Sequence, residues 1–179
     1  MDFQELLQRR FSLRSYSSET VPRELIDRCL EAARLAPSAC NSQPWSFHVA
    51  ADPEKTAALG RAAFRGIYGM NSFALKAPVL IAVVTERPRY ASILGGLFRG
   101  VRFSLLDVGI ACAHIALQAA ELGLGTCLLG WFDEKAVKRE LSLPGSSRID
   151  IMISMGYPLR PGFLPPRTRK SLDGIRRFL

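Results

Sequence analysis

Histidine is almost missing from this 179-residue sequence, at two residues, and its four cysteines (Cys29, Cys40, Cys112 and Cys127) include no CxxC pair. A zinc or iron–sulfur site would have to gather Cys112, His114 and Cys127 from separate elements, so these read as satisfied core residues, and no disulfide framework is indicated. No secretory leader precedes them, which sets the expectation of a reducing cytoplasm. Long hydrophobic runs are also absent. The most apolar stretch, Leu105 to Leu117, is interrupted by Asp107 and His114 and falls short of the ~20 residues a bilayer span needs, so it reads as a buried helix and no membrane association is expected.

The common phosphate and nucleophile motifs are lacking as well. There is no GxxxxGK[ST] and no GxSxG. Gly123, Gly125 and Gly130 follow a helical stretch and open a strand, the reverse of the order a dinucleotide fingerprint requires. Asp133 and Glu134 stand where a helix begins, where carboxylates favour the positive end of the dipole, so they read as a cap and not as an acid–base pair. With no evident nucleophile or general base, any chemistry points to a borrowed cofactor.

Acid is the scarce charge, with 16 Asp and Glu against 24 Lys and Arg, a net charge of +8. The excess is placed rather than spread: residues 55–102 carry +7 and residues 160–179 carry +5, while 1–54 and 103–159 are each −2. Nineteen of the bases are arginine, whose planar fork suits phosphate and carboxylate oxygens. An anionic partner is expected, but no aromatic-interleaved basic motif or reading helix appears, which argues against nucleic acid. At 48% hydrophobic and 22% charged residues with a mean hydropathy of +0.10, the chain suits one globular domain over residues 1–179.

Period and punctuation predict a short helix over Asp2–Arg10, a serine-bearing loop to Ser18, and a helix from Pro22 that ends at Pro37. A loop of small and amide residues to Pro44 leads into a strand over Trp45–Ala50, then a helix over 53–65. Val79–Thr85 is a buried strand, 86–100 is basic and without clear pattern, and Val101–Leu122 is a helix apolar on nearly every face, either buried all round or shared with another subunit. Gly125–Trp131 and Ile149–Met155 are strands around a helix capped by Asp133, and four prolines from Pro158 to Pro166 make residues 160–179 an arm. Strands separated by helices in mixed order give an α+β or α/β three-layer domain with a central sheet.

Three blocks in this order resemble the nitroreductase family of FMN-dependent, NAD(P)H-using oxidoreductases, across nearly the whole chain. They are Arg10-Phe11-Ser12-Leu13-Arg14-Ser15-Tyr16, the stretch Leu35 to Trp45 containing Ala36-Pro37-Ser38 and Asn41-Ser42-Gln43-Pro44-Trp45, and Gly123 to Gly130 continuing through Phe132-Asp133 to Gly156-Tyr157-Pro158. The resemblance implies a three-layer α/β/α fold with a central, mostly antiparallel sheet, dimeric through long helices, with FMN at the subunit interface. It further implies transfer of hydride from NADH or NADPH through FMN, in ping-pong fashion, to a nitroaromatic, quinone or similar acceptor. In this likeness Arg10 and Ser12 meet phosphate or ribityl oxygens, Phe11 leaves its contact there to main chain, and Arg167 and Arg169 form a basic phosphate pair. Arg14 sets a cation beside the pyrimidine edge of the flavin, Asn71 an amide at that edge, and Leu128, Leu129 and Gly130 present backbone N–H groups toward N5 and O4. Pro37, Ser38 and Ala39 come from the second subunit, whereas Asn41, Gln43 and Trp45 read as loop-bracing and core residues. No metal is implied. The region between Thr85 and Val101 is short for a helical excursion over a substrate pocket, which leaves the acceptor open. The same residues also fit a flavin-dependent dehydrogenase or reductive dehalogenase of that family, and, from charge alone, a non-enzymatic module that binds anions or nucleic acid.

Overall fold

The computed structural model describes residues 2–86 and 100–179, so the patternless basic stretch and the proposed missing excursion lie mostly outside the described residues. Four strands form one sheet: β1 (Trp45–Ala50), β2 (Val79–Thr85), β3 (Gly125–Leu129) and β4 (Arg148–Gly156), in the order β1-β2-β4-β3 with every pairing antiparallel. The central place of β2 follows from its sequence, since Val-Leu-Ile-Ala-Val-Val is apolar on both faces and only a covered strand tolerates that. The period of two sorts it into two cores. Leu80, Ala82 and Val84 pack with Leu59, Ala63 and Val137, and Val79, Ile81 and Val83 pack with Cys29, Ala111 and Ile115.

Helices supply the outer layers. After the short α1 (Phe3–Arg9), α2 (Arg23–Arg34) and the long α4 (Phe103–Glu121) cover one face of the sheet, while α3 (Pro53–Ala63) and α5 (Glu134–Glu140) cover the other. The Asp133 side chain caps α5 by accepting from the Ala136 N–H. The result is the expected three-layer α+β architecture. A bulge refines it: Ile151 opposes Val83 and Ile149 opposes Val84, leaving Asp150 without a partner on β2. Strict alternation would point Asp150 into the core beside Met152. The extra residue gives that place to Ile149, and Asp150 instead accepts from the Thr85 hydroxyl at 2.7 Å and from Arg148 Nε at 2.6 Å.

α4 is more apolar than a surface helix and not covered on every side, which leaves, of the two expected readings, the one shared with another subunit. It is 19 residues long, so by length and composition alone it is long and apolar enough to cross a bilayer, yet one face packs on α2 and the sheet through Val108, Ala111, Cys112, Ile115 and Ala119. It is not buried all round, because Leu106 is 56% and Ile110 38% exposed. The tail after Pro158 is exposed along most of its length and carries one short helix, α6 (Leu172–Ile175).

Candidate functional site

Residues 11–17 form a strap sewn to the start of β3 at Thr126 and then to the segment that follows β4. The Leu13 N–H donates to Thr126 O at 2.9 Å, the Ser17 N–H to Tyr157 O at 2.9 Å, and the Leu159 N–H to Ser15 O at 3.1 Å. Gly125 permits this approach, since a Cβ there would stand 2.4 Å from Leu13 Cδ2. Leu13 and Tyr16 point into the core and Ser12 and Arg14 face out, so the strap holds two polar side chains at the surface on an apolar footing. The Tyr16 hydroxyl donates to Leu13 O at 2.8 Å and lies 2.7 Å from Ser154 Oγ; burial pushes its phenol well above the ordinary tyrosine range.

At the start of the strap, arginines collect without acids. Burial is the first cause lowering the Arg10 pKa, and the positive charges of Arg167 and Arg169 are the next. Among the described residues none of these three, nor Arg14, forms an ion pair with a carboxylate. Their roles are unequal. The Arg167 guanidinium is committed to main chain at the end of α1, donating to the carbonyl oxygens of Leu7 (3.3 Å), Gln8 and Arg10 (2.6 Å). It therefore contributes field more than a free fork, whereas among the described residues Arg169 donates only to the neighbouring Thr168 carbonyl. A cavity of about 280 Å³ opens beside Arg10 and Phe11 toward Thr126 and Phe163, but neither Arg14 nor Asn71 lines it.

At the far end of β3, Asn71 Nδ2 donates to Trp131 O at 2.9 Å, Trp131 Nε1 donates to Ile67 O at 3.0 Å, and the Trp131 ring lies 5.2 Å from that of Tyr68. The Arg14 guanidinium carbon is 5.9 Å from the Phe73 ring centroid, which brings the strap and the 66–76 segment together. Leu128 is 41% exposed, Leu129 belongs to the core, and nothing lies within 4 Å of where a Gly130 side chain would begin. β3 is an edge strand, and the one bridge on its outer side is at Thr126, so among the described residues its edge from Cys127 onward carries no paired strand. Trp131 escaped the sequence reading. Its signal is a tryptophan placed directly after the glycine that follows a strand.

Pro37, Ser38 and Ala39 are not part of this assembly. The loop they begin adjoins the core under α2 and α4, through Ala36, while Leu13, Tyr16 and Phe73 belong to the core on the opposite face. It is held in an uncommon shape. Cys40, Asn41 and Gln43 have φ of 53°, 50° and 44°, a left-handed region costing roughly 1–2 kcal/mol per non-glycine residue. The bracing expected of Asn41 and Gln43 is there: Gln43 Nε2 donates to Asn41 Oδ1 at 2.9 Å and the Gln43 N–H to Ser38 Oγ at 2.9 Å. Trp45 packs partly buried against the same core. Asp107, read in the sequence only as an interruption of an apolar run, accepts from the Ala39 N–H at 3.1 Å.

No three His, Cys, Asp or Glu side chains gather into a metal-binding group among the described residues. A sequence model of the nitroreductase family matches residues 7–68 and 68–157. The chain belongs to the nitroreductase family. Among curated relatives of this nitroreductase-family chain, iodotyrosine deiodinase 1 of Rattus norvegicus is 28% identical over 196 residues, covering 97% of this chain and 68% of the relative. NADH dehydrogenase of Thermus thermophilus is 26% identical over 193 residues, covering 93% and 91%. Among solved structures, an FMN-dependent nitroreductase of Clostridium difficile superimposes with a TM-score of 0.69 at 27% identity, covering 94% of this chain and 92% of that one. The family match takes in the strap, the strained loop, Asn71 and the end of β3, and stops short of Arg167 and Arg169.

Proposed function

We propose that this nitroreductase-family oxidoreductase binds FMN along the outer edge of β3 and, as a homodimer, moves electrons from NADH or NADPH to a nitroaromatic, quinone or similar acceptor. The observation that carries the reading is the group of Arg10, Arg167 and Arg169, positively charged, with Arg10 partly desolvated and with no carboxylate paired to any of the three among the described residues, at the start of a strap that runs toward Arg14. Such a cluster fits a phosphate, and the strap offers Ser12 beside it for ribityl oxygens. Phe11 has no polar side chain to add, so its contribution is main chain. The open edge beyond Thr126 leaves the backbone N–H groups of Leu128 and Gly130 for ring oxygen or nitrogen, and the bare Gly130 permits close approach; alternation along the strand turns the Leu129 N–H instead toward Met152 of β4, so Leu129 serves as core footing and not as a donor to the ring.

Bound FMN supplies two-electron transfer between a nicotinamide and an acceptor, one after the other in the same place. Everything else is the chain's task. Arg14, fixed beside Phe73, brings a positive charge to the pyrimidine edge and favours negative charge there. Asn71 is oriented by its bond to Trp131 O, which leaves its own carbonyl oxygen for a ring N–H. Because the Pro37–Ala39 loop adjoins the other core from this edge, it reaches a flavin only across a dimer contact, which supports a site shared between two copies. The purified protein is expected to be yellow and to oxidise NADH or NADPH when a nitroaromatic or quinone is present. Colourless protein that takes up no FMN and oxidises neither nucleotide overturns this reading.

The similarity to a deiodinase favours one alternative, reductive dehalogenation at the same site. Halide release from a halogenated phenol, measured against quinone reduction by the same preparation, separates the two reactions.

A further inference from the structure

Asp107 is an expensive residue for its position. It sits on the inner face of α4 at 4% exposure, and among the described residues only one of its oxygens has a partner, the Ala39 N–H at 3.1 Å. A buried carboxylate with an unpaired oxygen is unfavourable for the fold, and an asparagine or an apolar residue would be easier to house. Among the described residues two buried side-chain oxygens lack any partner, Asp107 Oδ2 and Ser42 Oγ. One is on the carboxylate that anchors the strained loop and the other is in the loop itself. Polar groups left unsatisfied at one joint mark a place where something other than folding stability has set the residue types.

The loop explains what is gained. Cys40, Asn41 and Gln43 occupy the left-handed region, which side chains with a Cβ seldom adopt. The bonds within the loop, from Gln43 to Ser38 and Asn41, tie it to itself and not to the body of the protein. Asp107 supplies the tie to the body: a charge-assisted acceptor on a long helix, gripping the first N–H of the turn. Residues in rare backbone regions persist only where their surroundings over-determine them.

We propose that Asp107 is a positioning residue for the cofactor site, holding the Ser38–Gln43 loop from α4 so that the loop is preformed to lie along the flavin of the partner protomer. The inference rests on the reading of Pro37–Ala39 as a flavin-covering segment. FMN affinity is then set partly by a carboxylate acting through the loop, and loosening the loop charges the cost of ordering it to the binding step.

The test is titration of the full-length chain with FMN, followed by flavin fluorescence, for wild type, Asp107→Ala and Asp107→Asn, together with thermal unfolding of each variant without added FMN. Asn keeps an acceptor for Ala39. The expected result is a tenfold or greater rise in Kd for D107A, recovery to within threefold of wild type in D107N, and no loss of thermal stability in D107A, because the unpaired oxygen is removed with the carboxylate. Wild-type affinity in D107A overturns the proposal, and so does weakened binding that D107N fails to restore or a fall in affinity that only tracks a fall in stability. If D107A does not fold, the near-isosteric Asp107→Leu is judged by the same criteria. Failure of the wild-type chain to bind FMN overturns the cofactor reading and this proposal with it, whereas wild-type binding with an indifferent D107A overturns the proposal alone.

Discussion

Arg167 donates from Nη1 to the main-chain oxygen of Arg10 at 2.6 Å, so two like-charged residues are joined through backbone, with no acid between them. The bond secures the tail to the end of α1, and it also keeps a second positive charge close to the Arg10 guanidinium. Replacing Arg167 by Ala removes donors to three carbonyls and should lower stability by about 1–3 kcal/mol. Arg169→Ala, whose side chain meets only Thr168 O, should leave stability within about 0.5 kcal/mol while weakening FMN binding roughly tenfold, about 1.4 kcal/mol. Chemical denaturation and FMN titration of the two variants distinguish a structural arginine from a ligand-facing one.

The same crowding predicts a response to simple anions. Inorganic phosphate in the millimolar range should raise the thermal midpoint of the FMN-free chain by binding the native state alone, and the rise should shrink in R169A. An equal midpoint with phosphate or with chloride at matched ionic strength contradicts an anion site at Arg10 and Arg169.

The alkaline limb of stability follows from groups buried in their neutral forms. Burial pushes the Cys29 and Cys112 thiols up to about 12, and raises the Tyr16 phenol further. In the unfolded chain the thiols lose their protons near pH 8.5–9 and the phenol near 10. Between those values and the folded ones, the unfolded state binds fewer protons, so stability falls as pH rises, by about 1.4 kcal/mol per pH unit for each such group. The contribution is fully present below about pH 8.5 and declines above it. Denaturation midpoints from pH 7 to 11 should show this decline, and Cys112→Ala should reduce the slope between pH 9 and 11.

How legible this was in the sequence depends on whether neighbours in the chain or neighbours in space decide a residue's role. β2 and α2 could be read because their periods report their own burial, and Leu13, Tyr16 and Gly125 fell inside blocks whose order carries the family likeness. The bulge at Asp150 could not be read, since it is defined by where β2 happens to shift against β4. Asp107 is the sharper case: its meaning lies in an N–H at Ala39, 68 residues away, and locally it is only a charge in an apolar helix. Arg167 was legible as a base near an anion, but its grip on the α1 carbonyls was not, because main-chain acceptors at a helix end carry no side-chain signature.

Trp131 offers a prediction about the acceptor. Its indole is 50% exposed yet fixed by its own N–H and by Tyr68, and its carbonyl holds Asn71. A rigid, half-exposed aromatic beside the proposed flavin edge suits a planar aromatic acceptor, since stacking needs no further ordering of the side chain. Trp131→Leu keeps the carbonyl and the bond from Asn71 but removes the ring. Its KM for a nitroaromatic or quinone should rise five- to tenfold while nicotinamide oxidation with ferricyanide stays within twofold. Equal loss with all acceptors would assign Trp131 to the integrity of the site and not to acceptor binding.

The exposed stripe on α4 bears on assembly. Leu106 and Ile110 are one helical turn apart and more than a third exposed, with Ala113 and Leu117 continuing the same side of the helix. An apolar strip on a 19-residue helix whose opposite face already packs on α2 has the form of a surface awaiting a partner, and a second copy satisfies it isologously. Leu106→Glu would bury a carboxylate in such a contact and should weaken self-association by at least 2 kcal/mol, about thirtyfold, while leaving the monomer folded because the position faces outward. Sedimentation velocity reads the association, and FMN titration reads the consequence. If the Pro37–Ala39 loop serves the partner's flavin, FMN affinity should fall in step with dimer dissociation across a concentration series. A monomeric L106E that binds FMN as tightly as wild type would confine the whole site to one chain.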